Sequence, residues 1–423
     1  MGMGMGMGME RMKKKIRMAE VMRSGRLGNR PASGVIFIGL LGIVFSYLTL
    51  ANAISNIHAK TNPDRALFFW QNDEAQLAKT DQFLTTLDEK PVREKLVVLT
   101  RKSVQDSSLN AGVIRNYALA KMYDGNQLDT AAVLNVAQRV SRRDLGTQLQ
   151  LATSAANGND LDKALRHYSI ALSTHVASHE LIFPVLLQAI GSKLIDTSFR
   201  DVISTKPLWA NEFISFVLAQ GNGAEDLARV LRRSTGVPAG PNKAMLEKRI
   251  VQALVNDGAA DEVRAFYLSL AGADETLLVS TSVSTNDFVI DMPPVSWTMT
   301  RTSEILTEFV TNRQALRTEI AARMSGVVAQ KMIFFPAASY DIMMQSQIMG
   351  QTPGASLSWN MFCISKTEPL KLVKSGTSRS ARVNIDQACP AQLLEIRGDA
   401  GPAADGMVAL ISGFDVQERK GVK

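Results

Sequence analysis

Histidine and cysteine are scarce in this sequence, with four and two respectively among 423 residues. No C-x-x-C, H-E-x-x-H, Walker loop, G-x-S-x-G elbow or EF-hand loop is present, so the usual nucleophile, zinc, phosphate and calcium chemistries have no carrier. Aromatic residues make up only 6% of the chain, and they do not interleave with basic ones as a nucleic-acid platform requires. The expectation is a protein with no metal, no cofactor, no nucleic-acid partner and no enzymatic activity.

The chain also lacks a distributed charge excess. Its net charge of +7 arises from 47 basic and 40 acidic residues. Residues 1–34 hold eight of the basic groups (Arg11, Lys13, Lys14, Lys15, Arg17, Arg23, Arg26 and Arg30) against Glu10 and Glu20, so the remainder is nearly neutral. With 46% hydrophobic residues, 21% charged residues and a mean hydropathy of zero, neither a disordered chain nor a multi-span membrane protein fits.

Between Arg30 and His58 no charged residue occurs, and Val35–Ile54 reads VIFIGLLGIVFSYLTLANAI. Twenty helical residues reach about 30 Å, one hydrocarbon core. The preceding basic tail predicts a cytoplasmic N-terminus, leaving the bulk of the chain on the far side of the membrane. Ala51-Asn52-Ala53 also has the form of a signal-peptidase site. Cleavage near Ala53 would release a soluble periplasmic or secreted protein. In either case the folded part occupies an oxidising compartment, where Cys363 and Cys389, 26 residues apart, are expected to pair; two separate buried thiols are the alternative.

Residues 55–275 read as a helical repeat domain. Gly125, Gly158 and Gly191 open GNQLDTA, GNDLDKA and GSKLIDT at a spacing of 33, with looser copies near Gly221 and Gly258. A period of this length with two helices per unit marks a tetratricopeptide-type array. The glycines are expected to take left-handed helix caps, and the following Asp or Asn to cap the next helix. Grooves of such arrays hold peptides or helices, and Arg142, Arg143 and Tyr168 are the candidate groove contacts. His175 and His179 sit four apart with Glu180 beside them, but Val176 stands where a zinc protease needs glutamate, so they read as ordinary helix residues.

Residues 276–423 turn to alternation. Candidate strands are 286–290, 296–301, 304–310, 316–323, 328–335, 339–348, 356–364, 380–386, 391–397 and 406–415. Short strands at this density predict an antiparallel two-sheet sandwich of jelly-roll type. Such folds often bind carbohydrate, and Trp297, Tyr340 and Trp359 are the aromatic candidates to stack on a sugar. Trp359 shares a phase with Leu357 and Met361, which equally suits the core. No carboxylate pair can be nominated for glycoside chemistry.

The layout of basic tail (1–34), single span (35–54), helical repeats and cysteine-bearing sandwich resembles membrane-anchored periplasmic tetratricopeptide-like proteins of Gram-negative, alphaproteobacterial envelopes. The residues carrying this likeness are the span, ALFFWQNDEAQLA at 66–78, SRRD at 141–144, GNDLDKALRHYSIAL at 158–172 and WNMFC with ACPAQLL at 359–394. The resemblance implies an association with surface-polysaccharide assembly. The resulting expectation is a non-enzymatic scaffold binding an envelope or polysaccharide-assembly protein. The alternatives are a glycan-binding protein acting through the sandwich and, behind it, a divergent glycan-modifying enzyme.

Overall fold

The computed structural model describes residues 32–419, apart from 70–71, 85–89, 107–108, 124–126, 193–194, 235, 351–352, 366–370, 377–379 and 403–405. Within its elements the side chains of 32–44, 83, 90–93, 127–129, 371 and 374–376 are also outside the description. The basic tail at 1–31 and the repeat glycine Gly125 therefore lie outside it. The chain divides into two compact units, 1–141 and 142–423.

The first unit is helical, with α1 (Ala32–His58), α2 (Pro63–Phe69), α3 (Asp73–Leu84), α4 (Lys90–Asp106), α5 (Ala111–Tyr123) and α6 (Gln127–Val140). The expected span 35–54 falls within α1, and the side chains of 35–44 are outside the description. Among the described residues no helix is long and apolar enough to cross a membrane. In the α3–α5 pair the buried amide of Asn116 donates to Thr80 Oγ1 and Asp81 Oδ1, both at 2.7 Å, which satisfies a polar group that would otherwise be costly to bury.

The second unit opens with eight helices: α7 (Leu145–Asn157), α8 (Leu161–Thr174), α9 (His179–Gly191), α10 (Asp196–Ser204), α11 (Ala210–Gln220), α12 (Ala224–Arg232), α13 (Lys243–Asn256) and α14 (Ala260–Leu268). They form two rows: α8, α10, α12 and α14 pack in succession, as do α9, α11 and α13. Small residues permit the close approach, since Ala164, Ala171, Ala210, Ala224, Ala228 and Ala260 are all buried. Asp144 caps α7 by accepting from Thr147 N at 2.8 Å, and Asp160 caps α8 by accepting from Lys163 N at 3.0 Å.

One expectation about the repeat glycines is corrected. Gly158 has φ −82°, an ordinary right-handed value, and the left-handed residue is its neighbour Asn159 at φ 58°. Asparagine tolerates this region because its short polar side chain can bond locally. Gly191 is likewise the last residue of α9 rather than a left-handed cap. The later copies do follow the rule, with Gly221 at φ 69° and Gly258 at φ 67°.

After α15 (Thr285–Ile290) come ten strands: β1 (Thr298–Met299), β2 (Ile305–Val310), β3 (Ala315–Ile320), β4 (Ser325–Ile333), β5 (Ser339–Met349), β6 (Ser356–Ile364), β7 (Lys371–Gly376), β8 (Ser380–Asn384), β9 (Ala391–Asp399) and β10 (Met407–Glu418). They make two antiparallel sheets, ordered β1-β4-β9-β6-β7 and β2-β3-β10-β5-β8. Segment 286–290, expected as a strand, is helical. Ser284 and Asp287 form a reciprocal capping box that fixes a helix start there. Strand β7 was not anticipated.

Two cores organise this unit. One lies between the sheets and includes Trp297, Leu316, Ile342, Trp359, Met361, Leu394 and Phe414. The other is helical and takes in Met332, Phe334, Ile364, Ala391 and Leu393 from the outer face of the β4-β9-β6 sheet. That face is thus covered by helices. On the opposite sheet the outward residues Leu306, Met343, Gln345, Gln347 and Met349 are exposed.

Candidate functional site

The expected aromatic platforms are interior. Trp297, Tyr340 and Trp359 are 3%, 4% and 0% exposed, so none presents a ring face to a sugar. Trp297 Nε1 donates to Ser282 O at 3.1 Å, and Tyr340 donates to Pro336 O at 2.9 Å while its ring stacks on Phe335. Trp359 packs edge-on to Phe414. For Tyr340 on β5 and Trp359 on β6 the period-2 phase sets the side chain on the buried side of the strand, where large rings fill the inter-sheet space, while Trp297 is buried just before β1. Cys363 and Cys389 form a disulfide with a Cα–Cα distance of 5.4 Å, tying β6 to the turn that enters β9.

Arg142 and Arg143 are exposed in the turn before α7, and Tyr168 is half-buried against the helical core on α8. His179 Nδ1 is 2.8 Å from Glu212 Oε2, its Nε2 is 3.0 Å from Leu172 O, and its ring stacks on Phe183. His175 contacts Thr174 Oγ1 at 2.9 Å. The two histidines serve different local bonds, and among the described residues no group of three metal-ligating side chains occurs.

Three hollows among the described residues bear on binding. The first lies on the helices, a hollow of about 480 Å³ lined by Pro184, Leu187, Phe216, Gly223 and Asp226 among others. Beside it α9 carries Leu181, Pro184, Val185 and Gln188, an i, i+3, i+4, i+7 series on one face. Leu181 is 64% and Val185 46% exposed, so among the described residues the apolar members Leu181, Pro184 and Val185 are uncovered. Gly223, at φ 82°, allows the chain to turn tightly here, and a Cβ would stand 2.6 Å from Leu187 Cδ1.

The second, of about 440 Å³, lies on the exposed face of the β2-β3-β10-β5-β8 sheet. Strand register sets Gln417, Asp341 and Arg382 side by side across β10, β5 and β8, with Asp415, Met343 and Ser380 in the next row. Arg419 Nε donates to Asp341 Oδ2 at 2.6 Å and Arg382 Nε to Oδ1 at 3.4 Å. These contacts, Arg419 foremost, hold the Asp341 carboxyl below its ordinary range. It is therefore a fixed hydrogen-bond acceptor and a poor general acid at neutral pH. Sequence reasoning missed this row because its members are far apart in the chain.

The third, of about 450 Å³, runs between α8 and α10 and is lined by Asp162, Arg166, Ile170, Asp201 and Val202 among others. The Ser198 hydroxyl donates to Asp162 across it, and Trp209 Nε1 donates to Ser169 Oγ at 3.2 Å.

No family model matches the chain, and no curated protein matches it. Among solved structures, accessory secretory protein 1, 2 and 3 of Streptococcus pneumoniae aligns at 8% identity over 29% of this chain and 90% of that one, with a TM-score of 0.22. TmCBM61 in complex with beta-1,4-galactotriose aligns at 11% identity over 33% of this chain and all of that one, with a TM-score of 0.23. At those scores neither likeness bears on fold or function.

Proposed function

We propose that this chain is a non-catalytic periplasmic binding protein, anchored in the inner membrane through residues 35–54, whose helical rows dock a protein of the envelope or polysaccharide-assembly machinery. The observation that carries the reading is the uncovered apolar stripe of α9 beside the hollow between α9, α11 and α12. A stripe of this spacing fits an amphipathic helix or an extended apolar peptide of the partner. The two rows of successively packed helices support a tetratricopeptide-type reading, an arrangement whose usual work is protein contact. The one-sided charge of the tail supports the topology, and the disulfide supports an oxidising compartment. In-cell crosslinking followed by purification from membranes tests the proposal: envelope proteins are expected with the wild type and lost with Leu181→Asp/Val185→Asp. Equal recovery with both proteins removes α9 as the docking face.

A second reading rests on the exposed sheet face. The strand orders β4-β9-β6-β7 and β3-β10-β5-β8, with β1 and β2 added beside β4 and β3, support a jelly-roll reading. The row Gln417–Asp341–Arg382 offers an amide, a fixed carboxylate and a guanidinium at strand spacing, a set that suits the hydroxyls of a glycan. Titrating the intact protein with extracted surface polysaccharide tests it. Binding that is abolished by Asp341→Ala/Gln417→Ala supports a glycan platform there, and no saturable binding rejects it.

A further inference from the structure

The charged pair buried deepest in the sandwich has no part in either binding surface. Lys331 on β4 and Asp287 on α15 both have fully buried side chains, and Nζ stands 2.5 Å from Oδ1. The other carboxyl oxygen, Oδ2, accepts from Ser284 N at 3.1 Å and from Ser284 Oγ at 2.9 Å. The Trp297 ring lies 5.8 Å from Nζ, and Phe288, beside Asp287 in the chain, stacks on Phe309.

The geometry points to a covalent modification at this pair: Lys331 and Asp287 condense to an intramolecular amide that joins β4 to α15. Nζ adds to Cγ of Asp287, forming the C–N bond. The Cγ–Oδ1 bond breaks, and two protons pass from Nζ to Oδ1, which departs as water. One hydrogen stays on the amide nitrogen. An ammonium and a carboxylate thus become an amide and a water, with no oxidant, reductant or other reactant.

Each requirement of that step has a counterpart in the site. Burial pushes the Lys331 ammonium below its ordinary range, against the opposing pull of Asp287, which favours the nucleophilic amine. Contact between Nζ and Oδ1 gives the protons a direct path and replaces a bimolecular encounter by a fixed one. Negative charge building on Oδ2 in the tetrahedral intermediate faces two donors already in place, the Ser284 N–H and O–H. Two opposite charges in a dry site are expensive to maintain, whereas a neutral amide is not. The same dryness keeps water from returning to hydrolyse the product. The bond would anchor the short α15 segment, which also meets sheet β2-β3-β10-β5-β8 through Phe288 and Phe309.

Peptide mapping of the full chain, purified from membranes and reduced, provides the test. The expected result is one branched peptide in which the segment carrying Lys331 is joined to the segment carrying Asp287, lighter than their sum by one water. Fragmentation should place the link on those two side chains, and Lys331→Met should remove the branched species. Recovery of both segments only as linear peptides of full mass overturns the proposal. A loss of water that maps to Asp287 alone overturns it too, as does a branched peptide that persists in Lys331→Met.

Discussion

His167 Nδ1 lies 2.8 Å from Gln148 Oε1, inside the packed α7–α8 pair. The orientation of the glutamine amide is set at its other end, where Nε2 donates to Arg142 O at 3.0 Å. The histidine must therefore donate through Nδ1–H. This chain of bonds ties the turn at 142–144 to the middle of α8, and both side chains are buried.

Burial, with the nearby Lys163 and Arg166 charges, lowers the pKa of His167 below 6.5. A base whose folded pKa is depressed is bound by fewer protons folded than unfolded just below 6.5. Stability supplied by the neutral ring is therefore complete above that pH and declines as the pH falls toward the lowered folded value. Denaturant unfolding followed in the α7–α8 region should show a midpoint that drops across this window in the wild type. His167→Gln, which cannot titrate, should flatten that drop. An equal pH slope in both proteins would assign the acid sensitivity to other groups.

Reduction of the Cys363–Cys389 bridge should destabilise the second unit. With 26 residues separating the cysteines, the chain-entropy argument gives about 3.5 kcal/mol. The pair joins the end of β6 to the entry of β9, which are already hydrogen-bonded neighbours, including Cys363 opposite Gln392. Thermal melts of the reduced protein and of Cys363→Ala/Cys389→Ala are expected to agree with each other and to lie well below the oxidised protein. A melt indifferent to reductant would mean that strand pairing alone supplies the constraint.

Much of this architecture could be read along the chain, and the exceptions have local physical causes. Trp359 shared a phase with Leu357 and Met361, and all three are in the inter-sheet core. Segment 286–290 mimicked strand alternation, yet Ser284 and Asp287 spell a capping box, a signal the alternation obscured. Strand β7 has polar and basic residues around Leu372 and Val373, and as an edge strand it has only one neighbour to satisfy. The row Gln417–Asp341–Arg382 was invisible for a different reason. Its proximity depends on the register of β5 with both β10 and β8, which no local pattern encodes.

The burial of Trp359 separates a structural role from a ligand role. Trp359→Ala removes a fully buried indole packed against Phe414, and such truncations cost about 3–5 kcal/mol. The variant should unfold at markedly lower denaturant. Any loss of polysaccharide binding should follow that unfolding and disappear under conditions where the variant remains folded. Asp341→Ala on the exposed sheet face is expected to behave in the opposite way, with little change in unfolding and a direct effect on binding. A Trp359→Ala protein that melts like the wild type but fails to bind sugar would restore the indole as a ligand contact.

The α9 stripe yields the sharpest contrast between stability and function. Leu181 and Val185 are exposed, so aspartate at either position loses no core packing and stability should change by no more than about 0.5 kcal/mol. Burying the same carboxylates under a partner's apolar face would be costly, because a charge moved out of water without a counter-ion is disfavoured by several kcal/mol. Leu181→Asp/Val185→Asp should therefore melt like the wild type yet lose partner capture by about a hundredfold or more, in line with truncation of a central hot spot. Phe216→Ala, at the floor of the adjoining hollow, should weaken capture as well, with a moderate stability loss because its ring also packs against Phe183. If capture depends on Arg142 and Arg143 and ignores all three apolar positions, the docking face lies at the start of α7 and the recognition is electrostatic, which added salt would confirm by abolishing it.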